Sequence, residues 1–147
     1  MPLANATTEV PARKTISEVV GMLVDNNCEA VTIQRDGNGE PVGIGFVLGT
    51  PAGSREFVLP ARADNVRRTL VKQNYRAGLT THEHATNVAW RIVRDWLRAQ
   101  LALVQSGQVE FGEVMLPYLL LNDGKGGTHT LWDSFRSDRA LPEARSS

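Results

Sequence analysis

The sequence predicts an α+β fold: a three-stranded antiparallel meander packed against helices, with one long helix as its spine. Three observations carry that prediction. Apolar residues recur at helical spacing from Arg13 and again beyond Thr80. Between these runs lie three strand-like segments joined by two short turns. Each helical run ends at residues that halt a helix, Asn26-Asn27 and Gly107. A chain of 147 residues with 41% hydrophobic and 22% charged content suits one globular domain, not a disordered or fibrous chain.

Met1–Ala12 reads as disordered, being small and polar with two prolines and no periodicity. A helix follows from about Arg13, with Ile16, Val19, Val20, Leu23 and Val24 on its apolar face. Ala30–Arg35 alternates and is rich in β-branched residues, and Asp36-Gly37-Asn38-Gly39 tolerates the positive φ of a tight hairpin. Pro41–Leu48 returns with Val42, Ile44, Phe46 and Leu48 on one face, while Gly43 and Gly45 leave the other bare. After a turn at Thr50–Ser54, Arg55–Pro60 supplies the third strand.

The second half is predicted helical. Ala63–Arg76 presents Val66, Leu70 and Val71, with Gly78 ending the helix. Thr80-Thr81-His82-Glu83 fits a capping box with Thr80 as the cap. The helix it opens runs to about Ser106, roughly 26 residues and on the order of 39 Å. A short helix near Gly112–Leu116 leads to Pro117, and Tyr118–Leu121 reads as a strand or a buried helix end. Asn122–Gly127 is a turn, Thr128–Phe135 a last strand or helix, and residues 136–147 a loose tail. The domain is therefore expected over residues 13–135.

Several chemistries fail on spacing. Val114–Leu121, interrupted by Pro117, is too short to cross a bilayer, and Met1–Val10 lacks a secretory pattern, so a cytoplasmic protein without membrane contact is expected. Cys28 is the only cysteine, which excludes an internal disulfide and a cysteine-based zinc cluster. His82 and His84 are two apart and point about 200° from each other on a helix, so they do not share a face for a metal. Asp36–Glu40 imitates the start of a calcium loop, but its sixth and twelfth positions are Pro41 and Val47. Gly124-Lys125 lacks the upstream glycine and the following hydroxyl of a phosphate loop. No catalytic residue, metal or cofactor is expected, although His82, His84 and His129 remain the residues a small enzyme or ligand sponge would use.

The formal net charge of zero conceals an uneven layout. Residues 1–61 hold four basic and seven acidic residues, 62–98 eight and three, and 99–147 four and six. A basic middle between acidic flanks produces a local positive field. Arg68, Lys72 and Arg76 follow one another at i, i+4, i+8, and Arg91, Arg94 and Arg98 at i, i+3, i+7. Together they form a candidate phosphate-tracking surface, with Trp90 or Tyr75 available to stack a base of single-stranded DNA. The structural alternative is a solvated helix face, with an i, i+4 pair between Arg91 and Asp95 and Trp90 and Trp96 in the core.

Val88-Ala89-Trp90-Arg91, Trp96–Val104, Gly107, Glu113-Val114 and Leu116-Pro117-Tyr118-Leu119-Leu120 together resemble a group of short phage- and prophage-encoded proteins. In that group a Trp-Arg helix precedes a Leu-Pro-Tyr stretch, and Phe57-Val58-Leu59-Pro60 resembles its strand-to-helix junction. The likeness spans roughly residues 14–135 and is tightest over 88–120. It implies a viral or prophage origin and a helper role in DNA recombination, replication or counter-defence, with no catalytic residue to carry over. A meander followed by a helix also occurs in single-strand annealing proteins, a likeness of element order alone.

The expected function is thus a non-enzymatic accessory protein that binds single-stranded DNA. The alternative is a protein-binding module, such as an inhibitor of a host defence factor, acting through an apolar surface on a host or phage protein. The long, widely apolar helix and the bare Gly43/Gly45 face also favour a homo-oligomer.

Overall fold

Three helices end in the same way, and those endings set the layout. Helix α1 (Ala12–Asp25), helix α2 (Ala63–Lys72) and helix α3 (His82–Gln105) are each followed by a residue in the left-handed region: Asn27 at φ 67°, Asn74 at φ 62° and Gly107 at φ 78°. In each case the next backbone N–H returns to a carbonyl in the last turn: Cys28 to Leu23, Tyr75 to Leu70 and Gln108 to Leu103. These are Schellman caps, in which asparagine or glycine accepts the positive φ that other side chains resist.

In this computed structural model, residues 1–137 are described; residues 138–147, most of the expected tail, lie outside the described residues. Strands β1 (Glu29–Arg35), β2 (Pro41–Thr50) and β3 (Gly53–Pro60) form the antiparallel meander in the order β1-β2-β3. Gly39 (φ 76°) and Gly53 (φ 97°) make the two turns, as the glycines of the sequence imply. Pairing of Ile44 with Leu59 and of Phe46 with Phe57 sets four large side chains on one face. At both ends of β1 the register shifts, opposite Pro41 and opposite Val47, so that edge is bulged at each end.

Beyond α3 come helix α4 (Phe111–Met115), a 3-10 turn at Leu116–Tyr118, a hairpin of β4 (Leu120–Asn122) and β5 (Thr128–Thr130), and helix α5 (Leu131–Arg136). The last expected segment is thus both strand and helix. Leu119 bridges to Phe57, which seats this hairpin beside β3.

The main core lies between the sheet and α1, α3 and α4. Ile44, Phe46, Phe57 and Leu59 meet Val19, Leu23, Trp90, Leu97 and Met115, all essentially inaccessible to water. Phe46 stacks on Phe57 at 5.7 Å and on Phe111 at 6.2 Å. Trp90 donates its indole N–H to the Pro41 carbonyl at 3.1 Å, so its one polar atom is satisfied inside the core.

Three expectations need correction. The amino-terminal segment is not disordered: Leu3 and Ala6 pack onto Leu70, Ala85 and Val88, forming a second small core over α2 and α3. Its polar groups are also engaged, Asn5 with Asp95, and the Ala6 carbonyl with His84 Nε2 at 2.6 Å. Local composition hides this because the partners are remote in sequence, those of the two hydrogen bonds 78 and 90 residues away. Second, the cap of α3 is Thr81, whose hydroxyl accepts from the His84 N–H at 3.1 Å, one residue later than predicted. The Thr80 hydroxyl instead donates to the Ala77 carbonyl, closing a 3-10 turn at Ala77–Leu79. Third, α2 stops at Lys72, four residues early, because Asn74 rather than Gly78 makes its cap.

Candidate functional site

Helices α1 and α2 both pack on α3, and this arrangement decides where the six candidate basic residues go. Helix α2 buries Leu70 against α3, and on a helical wheel Arg68 and Lys72 then lie on the side away from that contact. Both are exposed. Arg76 is exposed too, but it precedes the 3-10 turn and no longer continues the face of α2. Its guanidinium lies over Gly78, where a Cβ would stand 2.9 Å from Nη1.

Arg91 and Arg94 face α1. Glu18 Oε2 receives Arg91 Nη1 at 3.0 Å and Arg94 Nε at 3.1 Å, and Arg94 Nη1 reaches Asp95 at 2.9 Å. The expected Arg91–Asp95 pair is therefore replaced by a cluster centred on Glu18. The hydrogen bond to Asp95, with the charges of Glu18 and Asp95, raises the Arg94 pKa above its ordinary value against the opposing effect of desolvation. These two guanidinium groups already have carboxylate partners, so a phosphate would have to displace them. Arg98 is exposed at the rim of an open groove of about 640 Å³ between α1 and α3, with Asp25 on the facing helix. The structure thus brings Arg91 and Arg94 together through Glu18 and sets Arg68 and Lys72 on a different helix, turned away from α3. Trp90 is fully buried and cannot stack a base, whereas Tyr75 is half-buried.

The histidines separate as their spacing implies. His82 Nδ1 lies 3.6 Å from Asp64 at the surface, His84 holds the amino-terminal segment, and His129 Nε2 meets Ser134 Oγ at 2.7 Å. Among the described residues no group of three His, Cys, Asp or Glu side chains is placed to hold a metal. Burial pushes the Cys28 thiol up to about 11, far from the range of a reactive thiolate. Asp123 is held below the usual carboxylate range by the backbone N–H groups of Lys125 and Gly127, so the Gly124-Lys125 segment is a closed turn around its own carboxylate.

A different surface stands out. Leu116, Pro117, Leu131, Trp132 and Phe135 line a wholly apolar hollow of about 260 Å³. Leu116 is 49% exposed, Trp132 43% and Phe135 57%, a large fraction for side chains of this size. The Trp132 and Phe135 rings stack at 5.5 Å. Local rules build it: Thr130 caps α5 and exchanges hydrogen bonds with Asp133, which fixes the helix start and turns Trp132 and Phe135 outward on adjacent turns. The Leu-Pro-Tyr 3-10 turn supplies the opposite wall. The sequence shows the Trp132/Phe135 spacing of three, but which way α5 turns depends on its packing against the 3-10 turn at Leu116–Tyr118 and on β5.

No helix among the described residues is long and apolar enough to cross a membrane. No protein-family model, curated protein or solved structure matches the chain.

Proposed function

We propose that the protein is a non-enzymatic binding module that captures a protein partner through the apolar surface of Leu116, Pro117, Leu131, Trp132 and Phe135. The supporting observation is the exposure of that contiguous group: scattered exposed apolar residues need no explanation, but a cluster with two stacked aromatics does. Trp and Phe are the side chains that anchor interfaces, because they bury large areas at low cost in conformational freedom. A host or phage protein in the cytoplasm, bound as part of counter-defence, is the partner class consistent with the resemblance to phage-encoded proteins.

The test is a pull-down from host lysate with the intact chain and with a Trp132→Ala/Phe135→Ala variant. Both positions are exposed, so the variant keeps its thermal midpoint within a few degrees. Proteins retained by the intact chain at low and high salt, and lost with the variant, support the reading. Equal retention by both, or no retention by either, sinks it.

A second reading, single-stranded DNA binding, keeps support from the exposure of Arg68, Lys72, Arg76 and Arg98. It predicts an affinity that falls steeply with salt. Fluorescence anisotropy with a labelled oligonucleotide separates the two, since Trp132→Ala/Phe135→Ala leaves DNA binding intact and Arg68→Ala/Lys72→Ala removes it.

A further inference from the structure

The face of the sheet opposite the main core carries a cleft of about 550 Å³, within the range of about 300–1,000 Å³ that small-molecule sites occupy. One wall is β1; the other is β5 with the first turn of α5, and β2 and β3 form the floor. The floor is shaped by glycine. A Cβ on Gly45 would fall 2.8 Å from Gln34 Nε2 and 3.0 Å from Thr32 Oγ1, so the Gln34 amide lies over the place a side chain would fill. A 3.1 Å hydrogen bond to Thr32 Oγ1 holds it there. Across the cleft, the His129 ring is fixed by Ser134, and its Nδ1 has no protein partner among the described residues.

The charge of the lining narrows the ligand. Glu56 and Asp133 border the cleft, and among the described residues no lysine or arginine lines it. Asp133 is already held ionised, below the usual carboxylate range, by the Thr130 N–H and hydroxyl against the opposing effect of desolvation. A phosphorylated or carboxylated ligand meets two carboxylates in the lining; the nearby charges of Arg136 and Arg62 offset Asp133 only in part, and among the described residues neither arginine lines the cleft to take up an anion. The remaining Gln34 N–H and Oε1 set a donor beside an acceptor, the pattern that an amide uses to read the edge of a heterocyclic base. Val47 and Val58 supply apolar contact for a ring, and Glu56 offers acceptors for hydroxyl groups.

We propose that this cleft binds an uncharged nucleoside, a flat heterocycle carrying a polyol, and rejects the phosphorylated form. The site is independent of the protein-binding surface and stands or falls by itself.

Titration of the isotope-labelled full chain with adenosine, cytidine and adenosine monophosphate, followed by amide NMR, tests it. At least one nucleoside is expected to shift the signals of Gln34, Gly45 and His129 saturably, with the monophosphate bound at least about tenfold more weakly. Gln34→Ala and Glu56→Ala, both at solvent-facing positions, each weaken binding about five- to tenfold while the rest of the spectrum stays native. Gly45→Ala, which pushes the Gln34 amide off its seat, does the same without removing a polar group. Absence of saturable shifts with both nucleosides at millimolar concentration overturns the proposal. So does equal binding of the monophosphate, or unchanged affinity in Gln34→Ala.

Discussion

Asp95 joins the amino-terminal segment to the body of the protein: Asn5 Nδ2 lies 2.9 Å from one carboxylate oxygen and Arg94 Nη1 2.9 Å from the other. Desolvation alone would raise its pKa, but the hydrogen bonds from Asn5 and Arg94 and the nearby charges of Arg94 and Arg91 outweigh it and hold the group low. A depressed folded-state pKa means stability that is present above the unfolded value, near 3.9, and lost as pH falls through the folded one. Acidification below pH 4 is therefore expected to loosen the amino-terminal segment before the sheet. Hydrogen exchange should show residues 3–8 losing protection first, and Asp95→Asn should bring the same loss at neutral pH. Unchanged protection in that variant would mean that Leu3 and Ala6 hold the segment without Asp95. The carboxylate that Arg91 and Arg94 share was not legible in the sequence. Local spacing offers Asp95 four residues from Arg91, whereas the partner in the fold is Glu18, 73 residues away on another helix.

At the level of elements, the strands were more legible than the helix ends. Period-two alternation and glycines at the turns fix the meander because each side chain's face follows from its number. The end of α2 was harder to read, since Val66, Leu70 and Val71 continue a helical pattern to Arg76, and an asparagine within a polar stretch does not announce a left-handed cap. Asn74 nevertheless sets the cap, with its own N–H on the Val71 carbonyl and that of Tyr75 on Leu70. Asn74→Gly should change stability by no more than a few tenths of a kcal/mol, whereas Asn74→Val, forced to φ near 62°, should cost about 1–2 kcal/mol. Urea unfolding of the two variants measures the difference. Equal midpoints would mean that the chain leaves α2 by another route and that the cap follows from the packing of Tyr75. The same limit applies to α5, whose cap is written in Thr130 and Asp133 but whose outward aromatic pair follows from packing on the 3-10 turn at Leu116–Tyr118, where the Leu131 N–H also donates to the Leu119 carbonyl.

Across the whole molecule, α3 is apolar around a wide arc because it serves two cores. Trp90, Leu97 and Leu101 face the sheet, while Ala85 and Val88 face α2 and the amino-terminal segment. Read alone, that arc suggests an oligomer contact; within the fold, part of it is covered by residues that a local reading places in a disordered tail. The Gly43/Gly45 face is likewise not bare, since Gln34 and Thr32 lie over Gly45 and a backbone carbonyl, that of Leu59, stands 3.0 Å from where a Gly43 Cβ would be. Deleting residues 1–9 tests how far the second core supports the first. The deletion exposes Leu70, Ala85 and Val88 and leaves Gln73, His84 and Asp95 without the partners that Leu3, Ala6 and Asn5 provide. A loss of about 1–3 kcal/mol is expected from the apolar area returned to water, lowering the thermal midpoint by several degrees. The sheet and α1 should keep their native NMR signals, and the α2–α3 surface should begin to bind an apolar dye. If the truncated chain instead dimerises, the uncovered stripe of α3 is itself an interface, and the amino-terminal segment is what covers it in the intact chain. If the midpoint does not move, the segment only rests on its seat, and α3 tolerates its second apolar face in water.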